Sequence, residues 1–103
     1  MPPRLPRKPP RQRTPKSPSR VEYEGVRAAL VALRIHAGLT QVDLAERLGR
    51  SQGHVSEVER GIKRIDPLQV WDWCRACGTD LVGWAALTQR AIAHAQAGTL
   101  SDA

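Results

Sequence analysis

The residues most suggestive of chemistry lie in one stretch, QVDLAERLGRSQGHVSEVER, from Gln41 to Arg60. Gln52 carries an amide that can meet adenine with two hydrogen bonds, accepting from N6 and donating to N7. Its competing reading is a polar residue in the first turn of a solvated helix. Glu57 can accept from cytosine N4, but an unpaired carboxylate is repelled by phosphates, so base reading and a solvated role stand level. Arg50, Arg60, Lys63 and Arg64 surround this stretch and are suited to tracking a phosphate backbone in a salt-dependent, sequence-independent way. A solvated basic loop is the plainer alternative. His54 and Ser56 flank the same segment and fit either phosphate contact or simple exposure.

Other chemistries are weaker. Cys74 and Cys77 form a CxxC pair, yet no second pair exists and none of His36, His54 and His94 is near in sequence. A four-ligand zinc site therefore lacks donors, and core packing is the expected role of both thiols. The histidines show no spacing to a nucleophile, and no glycine-rich phosphate loop follows a strand. Neither an enzyme nor a cofactor or metal site is expected.

Charge sharpens the polyanion reading. The chain of 103 residues has 16 Lys and Arg against 10 Asp and Glu, a net charge of +6. Residues 1–20 hold seven of the bases and no acid, so the remainder sums to −1. Bulk basicity thus belongs to the N-terminal segment, and binding by the rest depends on where single charges sit. No apolar run is long enough for a bilayer span and no secretory signal is visible, so no membrane association and a cytoplasmic location are expected.

Residues 1–20 also hold seven of the eight prolines, with Leu5 as the one bulky apolar side chain. Such a segment buries too little to offset chain entropy and is expected to be a disordered Pro/Arg-rich arm. A role along phosphates or in a minor groove and a role as a solubilising tail are equally open. From Val21 the pattern becomes helical. A first helix is expected from about Glu22 to Ala37, with Val26, Ala29, Leu30, Leu33 and Ala37 on one stripe. Ala28, Val31 and Ile35 make a second, weaker apolar stripe. Thr40, with Asp43 three residues on, opens a helix through Leu48, Ser51 caps one ending near Arg60, and Asp66–Pro67 starts a fourth that Gly78 ends. A fifth begins after Asp80 and carries Leu81, Trp84, Ala85, Thr88, Ile92 and Ala95. A helical domain over residues 21–97, followed by a flexible tail at 98–103, completes the expected organisation.

Two short helices can cross steeply only with a small residue at the crossing, a turn residue free to adopt positive φ, and apolar anchors to the rest of the domain. Ala45, Gly49, and Leu44, Leu48, Val55 and Val58 meet these conditions together. At this point the chain resembles the Cro/cI-like, or XRE, helix-turn-helix family, from LRIHAGLTQ through ERG to WCRACGTDL. The resemblance implies an all-α, five-helix lambda-repressor-like domain. It further implies that Gln41 contacts phosphate, that Ser51, Gln52, Gly53 and Glu57 face the major groove, and that Arg34 and Glu59 form an internal salt bridge. Gly53 departs from the larger side chains common in the family, bringing no hydrogen-bonding group and costing about 1 kcal/mol of helix propensity relative to Ala.

The implied function is a sequence-specific transcriptional regulator, a repressor, binding double-stranded DNA as a homodimer. The competing class is a protein-interaction module, such as an antitoxin-like or phage-encoded adaptor that holds a protein partner with the same fold. Trp73 is assigned inward. Trp71 and Trp84 fit a dimer surface and a cap on the domain's own core equally well.

Overall fold

The computed structural model describes residues 20–101, so the expectation for the Pro/Arg-rich arm falls almost wholly outside the described residues. Five helices follow in order: α1 Val21–His36, α2 Gln41–Leu48, α3 Gln52–Glu59, α4 Pro67–Ala76 and α5 Leu81–Ser101. Their starts are written in local chemistry. Thr40 and Asp66 each form a capping box, with Asp43 and Gln69 respectively, and Ser51 Oγ accepts from the His54 amide at 3.1 Å. Asp80 Oδ1 accepts from the Gly83 amide at 2.8 Å at the head of α5. Each such cap satisfies a donor that the first helical turn leaves without a partner. In α1, where Arg20 makes no side-chain cap, Glu22 and Glu24 in the first turn and Arg34 and His36 in the last complement the helix dipole.

The core is Leu30 of α1, Leu44 and Ala45 of α2, Val55 and Val58 of α3, and Trp73 of α4. Trp73 is 1% exposed, and its indole Nε1 donates to the Leu30 carbonyl at 3.1 Å, so the largest core side chain also satisfies its one polar atom. Cys74 is fully buried and Cys77 packs at the edge of the same cluster, both as free thiols. Burial, with the neighbouring Cys74 second, pushes the Cys77 thiol up to about 11, which keeps it protonated and unreactive at neutral pH.

The periodicity of α1 misplaces two positions. Ala37, expected on the buried stripe, is the exposed C-cap, because the helix ends at His36, one residue before it. Tyr23 and Gly25, absent from the expected stripe, are buried instead, because α5 lies along the first turns of α1. Gly25 is the point of closest approach. A Cβ there would stand 2.5 Å from the Ile92 nitrogen and 2.6 Å from its Cα, contacts that neither backbone can relieve by turning a side chain. Gly25→Ala should therefore destabilise the domain by about 2 kcal/mol, although alanine is the better helix former by nearly 1 kcal/mol. A urea midpoint unchanged or raised in this variant would show that α1 and α5 do not meet there.

Helix α5 continues through Ser101, into the segment expected as a tail. Trp84, on its first turns, is half-buried and shares an apolar cleft of about 450 Å³ with Tyr23, Val26, Val70 and Leu81. Trp71 is 40% exposed, with the Arg75 guanidinium 4.7 Å from its ring centroid. The second stripe on α1 stays outside the core: Ala28 and Ile35 are exposed and Val31 is half-buried. No described helix is long and apolar enough to cross a membrane.

Candidate nucleic-acid interface

Helix α2 is stopped by Gly49, which adopts the left-handed conformation with φ 66° and ψ 32°. The Arg50 amide then reaches back to the Ala45 carbonyl at 2.9 Å, closing the turn within two residues of the start of α3. Ala45, 3% exposed, lies with Val55 and Val58 in the core, and its single methyl lets the two helices approach. Along α3 the burial follows the helical repeat. Val55, Val58 and Glu59 face inward, whereas Ser51, Gln52 and Gly53 at its head are exposed, which is the outward presentation that the sequence required.

The residues singled out as basic surroundings, Arg50, Arg60, Lys63 and Arg64, are all exposed. Glu57 has a partner that the sequence did not reveal: Lys63 Nζ lies 3.2 Å from its Oε2. The pair is open to solvent and adds little stability, but it offsets the carboxylate's charge in the second half of α3. His54, next to the cap, is held below the usual imidazole range, first by burial and then by Arg50 and Lys63. It is accordingly neutral at physiological pH and adds no positive charge to the free surface.

Behind this surface stands a buried ion pair. Arg34 Nε donates to Glu59 Oε2 at 2.7 Å and Arg34 Nη2 to Glu59 Oε1 at 3.0 Å, a two-pronged contact between α1 and α3. These bonds raise the Arg34 pKa further above its ordinary value. The same guanidinium donates through Nη1 to the Leu39 carbonyl at 2.9 Å, tying in the turn before α2. Arg27, which sequence reasoning missed, donates to the Glu59 backbone carbonyl at 2.9 Å and satisfies an acceptor at the end of α3. Only the fold brings these groups together, since Arg27 is 32 residues from Glu59.

The ion pair extends outward. Gln41 Nε2 donates to Glu59 Oε1 at 3.0 Å, and Gln52 Nε2 donates to Gln41 Oε1 at 2.7 Å. The first residues of α2 and α3 are therefore joined side chain to side chain. Gln52, at the exposed end of this chain of bonds, retains its own amide oxygen and a second N–H. Rigidly held donors and acceptors on an exposed helix of this length suit the edges of bases in a major groove, which admits an α-helix.

The helix-turn-helix family model matches residues 30–84, which span the core of α1 through Trp84. Among solved structures, the chain is similar to the clp gene regulator ClgR of Corynebacterium glutamicum, at 30% identity over 79% of this chain and 84% of that one, with a TM-score of 0.68. A second crystal structure of that regulator aligns at 29% identity over 70% and 91% of the two chains, with a TM-score of 0.62. An XRE-family like protein from Pseudomonas syringae pv. tomato aligns at 38% identity over 71% and 85%, with a TM-score of 0.59. No curated protein matches. With five helices in this arrangement and the matched segment covering more than half of its length, the chain belongs to the XRE-like helix-turn-helix family of DNA-binding domains, which are not enzymes.

Proposed function

We propose that this protein is a sequence-specific transcriptional regulator that lays α3 in the major groove of double-stranded DNA. Gln52 reads adenine, while Ser51, Gly53 and Glu57 form the rest of the base-facing surface. Gln41, Arg50, Arg60, Lys63 and Arg64 hold phosphates. The observation that carries this reading is the joined pair of amides, Gln41 and Gln52, at the exposed head of a helix whose opposite side is core. The head of α2 adds the partial positive charge of a helix N-terminus beside the phosphate-contacting Gln41.

The protein acts as a homodimer on a pseudo-palindromic site, with its two recognition helices one DNA turn apart, about 34 to 36 Å. Repression is the preferred outcome, because obstructing a promoter requires no further surface. The likeness to ClgR, described as a clp gene regulator, supports a regulatory role without transferring its target genes.

Selection from a random oligonucleotide pool, followed by footprinting at defined salt, supplies the site and its half-site spacing. On that site Gln52→Ala should weaken binding by about 1 to 3 kcal/mol while leaving thermal unfolding unchanged. Failure of the pool to converge on any sequence would discard this function in favour of a protein-holding module.

A further inference from the structure

We propose that Glu59, besides clamping α1 to α3, sets the direction in which Gln52 presents its amide, and is thereby a positioning residue for base reading. The inference rests on the reading of Gln52 as the adenine contact and adds to it a cause for that residue's orientation.

A glutamine amide has nearly the same shape when its oxygen and nitrogen are exchanged, so shape alone does not orient it. A carboxylate removes the ambiguity. Glu59 is 6% exposed and ion-paired to Arg34, and in its ionised form it only accepts hydrogen bonds. Gln41, 3.0 Å from Glu59 Oε1, must turn its NH₂ group toward the carboxylate. Its oxygen then faces Gln52 as an acceptor, and Gln52 must answer with its own NH₂ group, at 2.7 Å. Two bonds carry the polarity of a buried charge to the exposed head of α3.

The result matters because adenine presents an ordered pair, a donor at N6 and an acceptor at N7. Only one order of amide oxygen and nitrogen along the groove matches that pair. The opposite order would set donor against donor and acceptor against acceptor. Held by Gln41, Gln52 meets the base with its order already chosen, instead of ordering on contact. Arg34 takes part indirectly, because its two bonds fix the Glu59 carboxylate in place.

The test measures a ratio: the affinity of the full chain for its selected site over that for the same site with the Gln52-contacted adenine pair replaced. Wild type should discriminate by about fivefold to more than a hundredfold, and Gln52→Ala should abolish the difference. Glu59→Gln replaces the acceptor-only group by one that can present either atom. Gln41→Ala removes the link while leaving the Arg34–Glu59 pair and the core untouched, so it remains informative even if Glu59→Gln unfolds. Both should lower the ratio at that one base pair by at least roughly threefold and leave discrimination at other positions unchanged. If Gln41 serves phosphate alone, Gln41→Ala weakens binding to both sites equally and the ratio holds, which overturns the inference while the DNA reading survives. A wild type that prefers neither site would overturn both.

Discussion

Replacing Trp73 by Ala should remove about 3 to 5 kcal/mol of stability, the largest single loss expected from any core substitution in this domain. The side chain is 1% exposed and contacts the cluster formed by α1, α2 and α3, so its removal leaves a cavity that three helices border without a short route to collapse. The Leu30 carbonyl also loses the indole N–H, a donor no apolar substitute replaces. A domain of this size holds roughly 5 to 10 kcal/mol in total, and its midpoint should therefore fall by about 20 °C. Thermal unfolding followed by circular dichroism measures this directly. Trp71→Ala is the internal control: at 40% exposure beneath Arg75 it should cost less than about 1 kcal/mol. Equal losses from the two tryptophans would mean that α4 presents a different face to the core.

Arg34→Met should be the next most damaging, at about 3 kcal/mol. Methionine keeps the aliphatic stem but leaves the Glu59 carboxylate, at 6% exposure, with Gln41 as its remaining side-chain donor and no opposite charge. The energetic loss is the stranded charge more than the missing attraction. The double variant Arg34→Met, Glu59→Leu should accordingly recover much of the stability, since a buried pair is often replaceable by apolar groups of similar volume. Urea denaturation of the four members of this cycle decides the matter. A single-variant loss of less than about 1 kcal/mol would identify the pair as a solvent-screened surface contact.

The sequence disclosed most where chemistry acts over a few residues. Thr40 with Asp43, Ser51, and Asp66 before Pro67 mark helix starts by bonds that span three positions, and the helices begin there. The stop at Gly49 was legible for the same reason. What escaped notice depends on pairing distant turns. Gly25 meets Ile92, 67 residues later, and nothing around Gly25 alone distinguishes a close crossing from a weak spot in a helix. Ala37 was misjudged because the apolar repeat runs on past the point where the backbone turns away.

At the candidate interface the residue types were readable, but not their linkage. Arg34 and Glu59 could be matched through resemblance, whereas the bond from Gln41 to Glu59 and the bond from Gln52 to Gln41 require knowing that two helix heads lie side by side. Glu57 looked isolated because Lys63 follows it across a turn that periodicity does not describe. Arg27 carried no signal, being one of several arginines whose partner is a backbone atom.

Gly53 occupies the second position of α3, on its exposed head, and a Cβ built there would find Ser51 Oγ at 3.8 Å as its nearest neighbour, an ordinary contact. The site is thus a vacant lot on a finished building. A new side chain can be installed there with a gain in helix-forming tendency and without resistance from the scaffold.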